Sequence, residues 1–212
     1  MRRVLFFITL ILTLLWPGSI QAETKPLVIS YTFGIFKEED AVVFYGEISE
    51  SAAFSLVEVL SIQKPKTLVM ISPGGEMNAS LIIGTYLKNS DVEVLIRENT
   101  ECISACAFAV MASKQLQVNG NLLFHTPYFP VVSTADSLND LFLMSSISHV
   151  ALVEWFLANG YTLEFYRRIL ENTSNKTFLN FTSTDDLLKF KSDDPLAVLP
   201  DGETPYTVVT LE

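Results

Sequence analysis

Short apolar runs separated by polar turns dominate the first two thirds of the chain, and their period switches between two and about 3.6. Leu27 to Phe33, with Val28, Ile29, Tyr31 and Phe33, predicts a strand, and Ala41-Val42-Val43-Phe44-Tyr45 predicts a second that ends at Gly46. From Ser49 or Ser51, either able to cap, Ala53, Leu56, Val57 and Leu60 line one face of a helix reaching Ile62, and Pro65 ends it. Thr67-Leu68-Val69-Met70-Ile71 is a continuous apolar run, the pattern of a strand buried on both faces in a parallel sheet. Met77 to Leu87 then reads as a helix with Leu81, Ile82, Tyr86 and Leu87 on its apolar face, and Val92 to Ile96 as the next strand.

Ser104 to Ala112 predicts a buried helix of small residues. Leu116 to Val118, a turn at Gly120, and Leu122 to His125 follow as two more strands, read as a hairpin. Pro127 and Pro130 flank a loop before a long helix, Leu138 to Ala158, stopped by Asn159-Gly160. Thr162 caps a helix to Glu171, and Thr184-Asp185-Asp186 caps a short one ending near Phe190. The tail, 191–212, is expected to be loose apart from a last strand at Tyr206 to Leu211. Strand-helix units repeat, so the fold class is α/β.

The first 22 residues change the picture of where the protein works. Arg2-Arg3, an uncharged apolar run from Val4 to Trp16, and Ile20-Gln21-Ala22 have the form of a cleavable signal peptide, with Glu23 as the mature start. An uncleaved membrane anchor is the competing reading. The remaining 23–212 is the length of one ordinary domain, with its core at about 41–190. The net charge is -10, without basic clusters, which argues against nucleic acid and anionic membrane as partners. Export permits a disulfide between the only cysteines, Cys102 and Cys106, which would give local rigidity; two small buried residues is the equal alternative. Two thiols without further ligands nearby make a weak metal site, so neither metal nor cofactor is expected.

Three stretches carry candidate chemistry. Ser72-Pro73-Gly74-Gly75 sits between a buried strand and a helix, where glycine leaves backbone N–H groups bare. Ser104 opens an alanine-rich helix, and His125 ends an apolar strand. Each alone has a plain structural reading: a turn, a helix cap, a packed histidine. His149, on an apolar helix, reads as a packing or interface residue, and Lys114 and Lys176 could serve a serine-lysine dyad by residue type only.

In this order the stretches resemble the Clp protease branch of the Clp/crotonase superfamily, over about Val42 to Phe190. Within it, the chain looks most similar to exported Clp-like proteins in which cysteines also flank the serine. The resemblance implies repeated β-β-α units with Leu138 to Ala158 as a long handle helix, and a homo-oligomer stacked through it. It also implies Ser104 as nucleophile, His125 as general base, and the N–H groups of Gly75 and Ala105 as the oxyanion hole. The family's acid falls at Asn172 or Thr173, with Glu171 adjacent; Asn172 is taken as the third member, able to orient His125 without charge.

The Ser104 to His125 interval is shorter than in the family, which implies a trimmed hairpin. The implied function is an exported serine hydrolase acting on a peptide or protein, periplasmic or secreted. No ATPase partner is expected outside the cytoplasm, and no CoA of the kind crotonase-like enzymes bind. The alternative is a catalytically weak or inactive Clp-like binding and assembly module.

Overall fold

The computed structural model describes residues 25–30, 32–127, 138–200 and 202–211; the expected signal peptide at 1–22 and most of the loop after Pro127 lie outside them. The chain folds as mixed α/β, with two mixed sheets and six helices among the described residues.

The first sheet opens with β1 (Lys25–Ile29), β2 (Phe33–Glu38) and β3 (Ala41–Gly46), paired antiparallel. The single strand expected over Leu27 to Phe33 is thus two, because Ser30 turns the chain: its hydroxyl accepts the N–H groups of Thr32 and Phe33. Side-chain bonds of this kind compete with a strand's own ladder. Helix α1 (Glu50–Gln63) follows, capped by Ser49, whose hydroxyl accepts the Ala52 N–H, with Ala52, Ala53, Leu56 and Leu60 buried. β4 (Thr67–Ile71) runs parallel to β3, and α2 (Met77–Lys88) leads to β5 (Glu93–Ile96), parallel to β4.

The chain next forms β6 (Glu101–Ile103), α3 (Ala105–Val110), β7 (Leu116–Val118) and β8 (Asn121–Phe124). β7 and β8 do not pair with each other, contrary to the hairpin expectation. β7 closes the first sheet, in the order β1-β2-β3-β4-β5-β7, while β8 belongs to a second sheet, β10-β9-β8-β6. Gly120 allows this divergence: a Cβ there would lie 2.1 Å from the Arg97 carbonyl and 2.5 Å from that of Thr100. The two sheets touch through an isolated parallel bridge, Ser72↔Cys102.

Helix α4 (Leu138–Ala158) matches the expected long helix. Its C-terminal part packs into the subunit: Leu152 and Phe156 are buried, and the Trp155 indole N–H donates to the Phe108 carbonyl at 3.1 Å. No helix among the described residues is long and apolar enough to cross a membrane. α5 (Leu163–Asn172) precedes β9 (Thr177–Phe181), a strand the sequence reading passed over. α6 (Thr184–Leu188) is capped by Ser183, and β10 (Thr207–Thr210) pairs antiparallel with β9, so this part of the tail is a sheet edge.

One hydrophobic cluster runs from β2 to α6. Its second-sheet half is aromatic: Phe165 lies 5.2 Å from Phe124, 5.3 Å from Phe156, 5.6 Å from Phe181 and 4.6 Å from Phe190, centroid to centroid. Such pairs add to the free energy of area burial. Phe165→Ala should therefore cost about 3–5 kcal/mol of unfolding free energy, whereas Val208→Ala on the exposed β10 edge should stay within about 0.5 kcal/mol. Urea denaturation of both variants measures this, and a cost below about 1 kcal/mol for Phe165→Ala would remove the aromatic cluster as the main support of the second sheet.

Candidate active site

The site forms where β6 turns into α3. β6 and β8 are parallel, with Glu101↔Asn121, Cys102↔Leu122 and Ile103↔Leu123 in register. Beyond Ile103 the ladder makes one more bond, from the Ser104 N–H to the Leu123 carbonyl at 2.8 Å. This sets Ser104 beside the end of β8, and His125 follows β8 directly. The Ser104 Oγ and His125 Nε2 lie 2.7 Å apart across 21 residues of sequence. In the tautomer with its proton on Nδ1, the imidazole accepts the serine hydroxyl's hydrogen bond at Nε2.

Ser104 stands at the cap position of α3 but its side chain does not cap the helix. It points to the histidine instead. Its backbone has φ 55° and ψ -119°, a region that serine rarely occupies. Lys64 also has positive φ, but there φ 44° and ψ 54° form an ordinary left-handed helix end. At Ser104 the sharp strand-to-helix corner presents the hydroxyl, at a cost of about 1–3 kcal/mol that the surrounding structure must offset. Residues 105–112 are all buried, so the corner sits on a packed base.

Gly74 fits against this corner because it lacks a side chain. A Cβ on it would lie 2.8 Å from the Ser104 Cβ and 2.7 Å from the Ile103 carbonyl, and its φ is 98°. Gly75 forms a parallel bridge with Ile48 through its neighbours: the Ile48 N–H donates to Gly74, and the Glu76 N–H donates to Ile48. In such a bridge the N–H of the intervening residue faces the opposite side, so that of Gly75 turns away from Ile48. Ala105 is the first residue of α3, and its N–H has no partner within the helix. The glycine loop is tied to the serine strand by two more bonds, Ser72 N–H to Glu101 and Ile103 N–H to Ser72, both 2.9 Å.

His125 is buried, with 4% of its surface exposed. Burial lowers its pKa below that of a free imidazole, and the Thr126 backbone partly offsets this. The ring is therefore held toward its neutral form, the state a general base needs. The Phe178 ring on β9 meets it edge-on, with centroids 5.0 Å apart.

Asn172 does not occupy the third position expected of it. It is exposed, and its amide donates to the Arg168 carbonyl of its own helix at 2.8 Å. The next residue, Thr173, leaves the helix in an extended conformation, with φ -127° and ψ 166°, and its hydroxyl meets the chain just after His125. The Thr173 hydroxyl receives the Thr126 N–H at 2.7 Å and itself donates to the Ile169 carbonyl at 2.7 Å. Thr173 thus anchors the backbone immediately after His125. Phe178 was not singled out from sequence, although the apolar Thr177-Phe178-Leu179-Asn180-Phe181 run before Thr182-Ser183 carried the signal of a strand.

The other candidates are elsewhere. Lys114 is exposed and paired with Asp91 at 3.4 Å, Lys176 is exposed, and His149 packs against Tyr166. Cys102 and Cys106 are disulfide-bonded, which decides between the two readings of that pair. Among the described residues no group of three His, Cys, Asp or Glu side chains is placed to hold a metal. A cleft of about 830 Å³ is lined by Tyr45, Glu47, Ser72, Pro73, Glu101 and Ile103 among others, but neither Ser104 nor His125 lines it.

The strain at Ser104 has a measurable consequence. Ser104→Gly removes both the hydroxyl and the Cβ that disfavours this φ, whereas Ser104→Ala keeps the Cβ. After the entropy that glycine adds to the unfolded chain, Ser104→Gly should still be about 1 kcal/mol more stable than Ser104→Ala by chemical denaturation. Equal stabilities, or a more stable alanine variant, would show that the corner is unstrained. No protein-family model matches this chain and no curated protein matches it, so the reading of the site rests on its geometry.

Proposed function

We propose that this protein is an exported serine hydrolase of the Clp protease-like type, acting on a peptide or protein through a Ser104–His125 dyad. The observation that carries the reading is the 2.7 Å approach of the Ser104 hydroxyl to the His125 Nε2, made from a positive-φ corner. A serine held only as a structural residue gains nothing from such a conformation.

In this reading His125 takes the Ser104 proton as Oγ attacks a carbonyl carbon, and returns it to the leaving group. The N–H groups of Gly75 and Ala105 receive the developing oxyanion. The disulfide is consistent with an oxidising compartment and so with export. The long α4 is the counterpart of the family's handle, and a homo-oligomer formed through it belongs to the same proposal, with neither ATPase nor CoA involved.

A second reading, a Clp-like binding module with little turnover, is favoured by one observation. The residue that α5 brings to the histidine's strand is Thr173, whose hydroxyl carries no charge. Replacing the aspartate of a serine triad by asparagine costs about 10⁴ in rate, part of it through the wrong imidazole tautomer, so without a charged third member slow hydrolysis is expected even where acylation proceeds.

Fluorophosphonate labelling separates the two. Wild type should acquire one phosphonyl group by intact mass, Ser104→Ala none, and His125→Ala should label about 10²-fold more slowly or worse. The labelling rate should rise with pH as His125 loses its proton. Because burial lowers its pKa, the midpoint should lie below the 6.5 of a free imidazole. Folded wild type that stays unlabelled would favour the binding module, and a midpoint above 6.5 would contradict His125 as the buried base.

A further inference from the structure

The Cys102–Cys106 disulfide closes a short covalent ring with Ser104 at its centre. Cys102 lies in β6 and Cys106 in the first turn of α3; their Cα atoms are 5.2 Å apart, and both residues are fully buried. Resting on the reading of Ser104 as the nucleophile, we propose that this disulfide positions the serine: it holds the β6–α3 corner closed, and with it the backbone conformation that aims Oγ at His125.

The elements meeting at the corner are short. β6 has three residues and α3 six. A helix of that length does not persist by itself. Besides the β6–β8 ladder and the helix's own bonds, the corner is held by Ser72 N–H to Glu101, Ile103 N–H to Ser72, Ser104 N–H to Leu123, and Phe108 N–H to Ser104. A chain free to relax would rotate Ser104 out of φ 55° toward negative φ, and its Cβ and Oγ would swing away from the imidazole. The bridge opposes that rotation directly, because it ties the residue two before the serine to the residue two after it.

Cys102 is also the point where the parts of the site join. It is in register with Leu122 on β8, which leads to His125, and it bridges Ser72, which leads to Gly74 and Gly75. Through the disulfide the same residue holds α3, whose first N–H belongs to Ala105. Base, oxyanion loop and nucleophile corner are therefore all tied to one residue. Stapling distant parts of the unfolded chain is a weaker account of this bridge. A ring this small restricts the unfolded chain less than a long loop does.

The experiment compares phosphonate labelling of wild type, C102A/C106A and C102V/C106A, each shown to be folded by circular dichroism, and resolves the rate into inactivation step and reversible affinity. A positioning role predicts that the inactivation rate constant falls about tenfold to a hundredfold in both variants while affinity for the reagent stays within about twofold. A merely structural bridge would lower the melting temperature and leave the inactivation constant of the folded protein unchanged, which would overturn the proposal. Should neither variant fold, the constants are read on wild type reduced by a phosphine, with its thiols counted by mass after alkylation. Loss of the fold on that reduction would make the bridge a structural staple and also overturn the proposal. Oxidised wild type that never labels would instead overturn the nucleophile reading, and the positioning role with it.

Discussion

The parallel ladder between β6 and β8 is the constraint on which the rest of the site depends. It is only three registered pairs long, yet it continues as the hydrogen bond from the Ser104 N–H to the Leu123 carbonyl. Parallel strands run side by side in the same direction, so their C-terminal ends arrive together. One chain leaves as a helix through Ser104 and the other as His125. A one-residue slip would turn alternate side chains to the other face and separate the two functional groups. The bridge from Ser72 to Cys102 extends the argument to the glycine loop, since it brings β4's end alongside the same ladder.

Packing behind the ladder makes this arrangement rigid. Phe108, in α3 behind the serine, meets Phe124, which immediately precedes the histidine, edge to face at 5.5 Å. Phe124 in turn meets Phe165 and Phe181. The serine helix and the histidine strand are thus held by the same aromatic group, and α5 and β9 supply its other members. β9 also brings Phe178 against the imidazole, and the end of α5 brings Thr173 against Thr126. Burial in this setting favours the neutral form of His125, so one packing arrangement both holds the ring in place and biases its protonation state.

Much of the fold was legible in the chain because its elements announce themselves locally. Thr67 to Ile71 is an unbroken apolar run, and it is β4, buried between two parallel neighbours. Helix α1 buries Ala53, Leu56 and Leu60 of its expected face, whereas α2 buries Ala79, Ser80, Ile83 and Gly84 and shares only Leu87 with the face expected of it. The glycine pair, Ser104 and His125 each have a plain structural reading alone, and were proposed as a set on the resemblance of their order to a known family. What the sequence missed was short or dependent on distant partners. β6 and β9 were passed over, and both pair with β8. The expected Leu116–His125 hairpin failed for the same reason: local turn signals at Gly120 do not state that the two strands join different sheets.

The division at the site follows physical lines. By itself the sequence determined which side chains could do chemistry, since a hydroxyl, an imidazole and bare glycine N–H groups are properties of residue type. It also determined that the two cysteines lie close enough along the chain for a bridge. Only the tertiary structure decided that the bridge forms, that Ser104 takes a positive φ and turns from capping α3 to meet His125, and that Thr173 rather than Asn172 faces the histidine's strand. Those outcomes depend on where α5 ends and the chain turns extended, on parallel register and on the close approach of Gly74 to the serine corner, none of which leaves a local mark in the order of residues.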